Sequence, residues 1–134
     1  MRAWAITAGA LAIGFVAGAF AHALAQPPNR TGVTWTQLGE IELGPELGDV
    51  PAAGRALRGR LVTLPPGGVV PTHNHNDRPS VMYMVEGTAT EKRGETIIEH
   101  HQGEGFRIGK DRPHQMENRT QARAAYVEVD VYKK

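Results

Sequence analysis

The chain has 134 residues, with 15 Lys and Arg against 14 Asp and Glu, a net charge of +1 and no cysteine. This length suits one domain, and a balanced charge without long runs of one sign excludes an electrostatic grip on nucleic acid or an anionic membrane. The missing cysteine excludes thiol nucleophiles, thiolate ligands and disulfides, so a packed core must hold the fold.

Met1 and Arg2 make a short basic start, and 5–20 is an unbroken run of apolar, Gly and Thr residues. Ala23-Leu24-Ala25 then sets small residues where a signal peptidase reads. The pattern predicts a cleaved secretory signal over 1–25, and hence a periplasmic or secreted protein. The alternative is an N-terminal membrane anchor, for which the run is short. Cleavage after Ala25 leaves 109 residues, enough for one compact core.

Pro27, Pro28 and Asn29 mark 26–32 as an extended linker before a single domain over 33–134. Within it, 33–43 alternates loosely, with Trp35 and Leu38 as expected anchors, and 44–54 reads as a loop. In 55–64 apolar or small residues alternate with Arg, and Leu57, Leu61 and Leu64 are expected to face the core. Pro65-Pro66-Gly67-Gly68 forces a turn before a strand over 69–75. A clear strand follows at 81–85, and 88–93 and 95–101 form a hairpin about Gly94. Short strands at 106–108 and 114–117 precede a last one at 124–131. On that strand Tyr126, Glu128, Asp130 and Tyr132 share one face, while Val127, Val129 and Val131 share the other. Many short strands punctuated by Gly and Pro predict an all-β sandwich or barrel, with no convincing helix after the leader.

His73 and His75 are separated by one residue. On a strand, residues i and i+2 share a face, so both imidazoles would point the same way. His114, from a distant strand, offers a third nitrogen, and three imidazoles make a plausible tripod for one divalent ion. Met82 and Met84 share strand parity with Ser80, as Met116 does with His114. If Ser80 faces a substrate pocket, the three Met do too; the plainer reading is that they fill the core. Asp77 could supply a carboxylate ligand, but a solvated loop Asp is the plainer reading. Arg78 could hold an anionic substrate, against the commoner surface ion pair. His100 and His101 are adjacent, face opposite ways and are expected to be exposed. Gln115 and Glu117 are expected to face outward, Tyr83 to pack, and Glu86 to belong to a turn.

The stretch 67–118 resembles the cupins, small antiparallel jelly-roll β-barrels. Their first motif is a Gly, five residues, His-x-His, three or four residues, Glu, six residues and Gly; here Gly67, His73, His75 and Gly87 fit that spacing. Gly103, His114 and Asn118 fit the second motif, and the two motifs are 15 residues apart, as in small single-domain bacterial cupins. Three positions depart from the pattern. Ser80 stands where the Glu ligand belongs, Gly109 replaces a Pro, and Asp111 replaces a Gly. Asp tolerates left-handed backbone angles, so Asp111 can serve in the turn.

The resemblance implies an all-β cupin barrel with a divalent metal on His73, His75 and His114. The metal is one of Fe, Zn, Cu, Ni or Mn, and Ser80 hydrogen-bonds a metal-bound water or substrate. It also implies a small-molecule ligand and a homodimer. Some three-His cupins are dioxygenases, which is the leading enzymatic expectation. A lyase, isomerase or hydrolase using the metal as a Lewis acid fits the same ligands. The alternative is a non-catalytic periplasmic cupin that binds a metal or small molecule, since no proton-transfer group is evident beside the expected ligands.

Overall fold

Strand β4 (Ser80–Glu86) shows how the chain sorts itself. Ser80, Met82 and Met84 are buried, while Val81, Tyr83 and Val85 are exposed, the period-2 alternation of a sheet covered on one side. This strand is one of nine in the computed structural model, which describes residues 32–48 and 51–134. The expected leader over 1–25, and the linker up to residue 31, lie outside the described residues. In order the elements are β1 (Thr34–Glu42), α1 (Leu43–Leu47), β2 (Arg55–Leu64), β3 (Val69–His73), β4, β5 (Thr88–Arg93), β6 (Thr96–His101), β7 (Gly105–Ile108), β8 (His114–Glu117) and β9 (Ala124–Lys133).

All pairings are antiparallel and build two sheets, one ordered β1-β2-β9-β4-β7 and the other β3-β8-β5-β6. Their inner faces enclose Val62, Leu64, Val70, Met82, Met84, Ala89, Ile108, Met116, Ala124 and Tyr126. This is the all-β two-sheet fold that the strand pattern predicts, and the jelly roll that the cupin resemblance implies.

Several expectations need correcting. Leu57 and Leu61 do not share a face with Leu64, because they differ from it in strand parity. The inward residues of β2 are Ala56, Val62 and Leu64, and Leu57 is exposed. Arg58 and Arg60 fall on that same inward parity. Trp35 and Leu38 are exposed on edge strand β1, and Tyr83 is exposed on the outer face of its sheet. A short helix, α1, occupies part of the expected loop at 44–54.

Two turns place the site. Gly87 joins the two sheets between β4 and β5 at φ +67°, and a Cβ there would lie 2.5 Å from the Arg123 carbonyl oxygen. Asp111 is the only non-glycine among the described residues with positive φ, at 57°, and its N–H donates to Asn76 Oδ1 at 2.8 Å. It takes the conformation expected of a residue standing in for Gly, and ties the loop before β8 to the loop that carries His75.

Candidate metal centre

His73 closes β3 and faces His114, which opens β8 across the ladder. His75 is not on the strand: β3 ends at His73, and His75 sits in the following loop. The two imidazoles come together not on a shared strand face but through a bend after His73 that brings the second one back. A hydrogen bond from the Arg78 N–H to the His75 carbonyl at 3.3 Å closes that bend.

Each ring is fixed from behind. His73 Nδ1 lies 2.9 Å from the Pro71 carbonyl oxygen. His75 Nδ1 lies 3.0 Å from the Arg78 carbonyl oxygen and 3.0 Å from Ser80 Oγ. His114 Nδ1 lies 2.8 Å from Glu91 Oε1. A carbonyl or carboxylate oxygen can only accept, so each Nδ1 carries the proton and each Nε2 presents a lone pair. Those lone pairs converge, with Nε2 of His75 at 3.0 Å from that of His73 and 3.3 Å from that of His114. No proton remains to bridge them. With metal–nitrogen bonds of about 2.0–2.1 Å, ligands at octahedral to tetrahedral angles sit about 2.9–3.4 Å apart. The donor set fits a divalent ion.

His75 and His114 are fully buried and His73 is half-buried. Burial lowers the pKa of His75 to about 4, with help from the Arg78 charge, and burial also lowers that of His73. Both rings are thus held neutral, the form that ligates.

Glu91 is the support that the sequence did not reveal. It is fully buried on β5 and accepts from His114, from His100 Nε2 at 2.9 Å, and from Arg93 at 2.7 and 2.9 Å. Burial would push its pKa up, but these donors outweigh it and hold the carboxyl far below its usual range. His100 is therefore buried rather than exposed, and stacks on Phe106 with ring centroids 3.7 Å apart. A carboxylate behind a ligating imidazole fixes its tautomer and raises its basicity. Little in the sequence marks Glu91, since its alternation with Thr90 and Lys92 reads as an ordinary hairpin strand.

The opposite wall comes from the five-stranded sheet. Directly paired across β2 and β9 are Arg58 with Asp130 and Arg60 with Glu128. Arg60 Nη2 donates to Glu128 Oε2 at 2.7 Å, while Glu128 Oε1 is buried and has no hydrogen-bond partner among the described residues. A cavity of about 310 Å³ opens between this wall and His73, lined in part by Trp35, Arg60, Arg78, Met82, Tyr126 and Glu128. Burial raises the pKa of Glu128 above the ordinary carboxylate range. A buried carboxyl that holds its proton more tightly than usual, not evident in the motif, therefore borders the cavity. Its signal was the shared parity of Tyr126, Glu128 and Asp130 on the last strand.

The remaining candidates fall in different places. Ser80 is buried behind His75, on the side away from Nε2, rather than beside the converging nitrogens. Met82 lines the cavity, whereas Met84 and Met116 are buried in the core cluster. Asp77 is exposed, and its carbonyl, not its carboxylate, is engaged, by Arg55. Glu117 is buried, held by Gln115 and Arg119, rather than outward. His101 is exposed as expected.

The fold is shared with solved proteins. A cupin domain from Bordetella pertussis Tohama I is 18% identical with a TM-score of 0.57, covering 76% of this chain and 95% of its own. A sugar phosphate isomerase of the cupin superfamily from Silicibacter pomeroyi is 21% identical with a TM-score of 0.52, covering 60% and 66%. An oxalate oxidase in complex with glycolate is 18% identical with a TM-score of 0.55; the match covers 78% of this chain and about half, 53%, of the oxidase. At such identities the likeness is one of fold alone. No protein of curated function matches the sequence significantly. The cupin-domain family profile matches residues 60–132, a span that holds all three histidines, Glu91 and Glu128, and the chain is a member of the cupin family.

Proposed function

We propose that the protein binds a divalent metal through His73, His75 and His114 and is an exported enzyme acting on a small oxygenated organic molecule. One observation carries this reading: three Nε2 lone pairs converge, with every Nδ1 proton already committed elsewhere. Such an arrangement holds a cation and little else. The ion would supply Lewis acidity or, if redox-active, a site for dioxygen.

The chain supplies the rest. Its three ligands are neutral, so an ion there keeps its full charge and favours an anionic oxygen ligand. Arg78 and Arg60 line the approach, and Glu128 can accept or return a proton at Oε1. That oxygen fits a group that meets a ligand rather than a purely structural carboxylate, whose oxygens are normally satisfied.

The test is elemental analysis of protein exported to the periplasm and purified without chelator or added metal, beside a His73→Ala, His75→Ala variant. Near one ion per chain, lost in the variant, is expected. If the wild type takes up none of iron, zinc, copper, nickel or manganese, the reading is wrong. Iron would direct the search towards oxygenase substrates, zinc towards isomerase or lyase ones.

A further inference from the structure

The wall opposite the histidines is unevenly matched. Three guanidinium groups, Arg58, Arg60 and Arg78, face two carboxylates, Glu128 and Asp130. Asp130 is saturated: Arg58 grips both its oxygens at 3.1 and 2.8 Å, and Arg60 reaches Oδ2 at 3.1 Å. Arg58 is also occupied by the Tyr132 ring, 4.2 Å away.

The other groups are not saturated. The Arg78 guanidinium comes only to 3.6 Å from Asp130 and 4.0 Å from Glu128, too far for hydrogen bonds, and it makes no other among the described residues. Arg60 Nε is buried without a partner. Glu128 keeps one unpartnered acceptor, Oε1, on a side chain only 5% exposed. Unmet buried groups are costly unless something supplies the missing half. The wall therefore asks for a ligand that is anionic towards the arginines and a donor towards Glu128. A plain carboxylate satisfies the arginines but sets a second anion beside Glu128. A plain alcohol satisfies Glu128 and leaves the arginines unmet.

We propose that this cavity receives a small hydroxy-carboxylate, its carboxylate held by Arg78 with Arg60 and its hydroxyl donating to Glu128 Oε1. The proposal rests on the metal-centre reading, because such a ligand also offers a chelating pair of oxygens to an ion on the histidines. A cavity of about 310 Å³ lies at the small end of ligand sites, so the substrate carries few atoms beyond these groups.

Lactate, propionate and 1,2-propanediol separate the two requirements at nearly constant size. Calorimetric titration is made into zinc-loaded protein and, separately, into metal-free protein. Lactate is expected to bind at least about tenfold tighter than either of the others in both forms, as a hydrogen bond to a charged group implies. In metal-free protein the preference over propionate comes from Glu128, and the preference over propanediol from the arginines. Glu128→Met should then bind propionate at least as well as the wild type does, and lactate no better than propionate. Arg78→Met should weaken both acids equally. Equal binding of lactate and propionate to metal-free wild-type protein overturns the proposal, as does equal binding of propanediol. These wild-type outcomes hold even if a variant fails to fold. Absence of metal uptake would instead overturn the metal-centre reading, while the metal-free titration still decides this one.

Discussion

Glu91 is the residue on which the geometry of His114 depends. It ties one candidate ligand to Arg93 and His100, and its contacts with the two histidines are buried while that with Arg93 is partly so. Glu91→Gln keeps the shape but removes the charge that orients His114. Metal affinity should fall about 10–100-fold, as when other such supports are removed. Competition with a chromophoric chelator measures it, and unchanged affinity would show that His114 is positioned by packing alone. Glu91→Ala should cost about 3–5 kcal/mol of stability, because it strands Arg93 and two imidazoles. Acid should act on the metal-free protein through His75. Its folded pKa, about 4, lies below the ordinary value of 6.5. Between those values the unfolded chain takes up a proton that the folded chain refuses, so stability is full above pH 6.5 and declines towards pH 4. The loss is on the order of 3 kcal/mol at most. Glu91 adds its own loss only below about pH 4.5, where the unfolded carboxyl protonates. Glu128 works the other way: its raised pKa means that ionising it as pH rises costs stability. The decline below pH 6.5 should therefore be steeper in Glu128→Gln than in the wild type. Urea midpoints of metal-free protein at pH 7 and pH 5 measure both; no decline in Glu128→Gln would mean that His75 is already charged when folded.

At the scale of elements, two glycines with similar backbone angles should respond differently. Gly87 has φ +67° and Gly94 has φ +58°. Nothing lies within 4 Å of a Cβ at Gly94, on the tip of the β5–β6 hairpin, whereas one at Gly87 would strike Arg123 and Ala124 backbone. Gly94→Ala should cost about 1–2 kcal/mol, the left-handed penalty alone. Gly87→Ala should cost at least twice that, because the crossing between the sheets must also move; urea unfolding of the pair decides. The same contrast shows what the sequence made legible. Period-2 alternation and turn residues gave the strands β4, β5, β6 and β9 nearly to the residue, and motif spacing grouped His73, His75 and His114. Parity also held the inward arginines, since Arg58 and Arg60 alternate in step with Ala56, Val62 and Leu64, but Leu57 and Leu61 pointed to the opposite face. Glu91 and His100 were not legible, because an inward acidic residue on a hairpin looks like any solvated one until a partner strand brings donors to it. The bend that swings His75 back beside His73 depends on Arg78 backbone contacts, which no side-chain pattern encodes.

For the whole molecule, the absence of cysteine leaves the core and the histidine site to carry stability between them. The site is a weak point without metal. Three lone pairs face one another at close range, and two of the imidazoles are fully buried, so the metal-free fold holds an arrangement that repels itself. A cation reverses the sign of that interaction and binds only where the fold brings the three rings together. By mass action, zinc at a free concentration 100 times its Kd should stabilise the protein by about 2.7 kcal/mol. In a domain of this size each kcal/mol moves Tm by about 4–8 °C, so the midpoint should rise by about 10–20 °C. The rise should keep growing with the logarithm of free zinc and reverse with EDTA. Scanning calorimetry of the wild type and of the His73→Ala, His75→Ala variant makes the comparison. The variant, having lost two of the three ligands, should not respond to zinc. An equal response in the variant would place the ion elsewhere, on exposed groups such as His101 and Glu99, and would remove the reason for these three rings to converge.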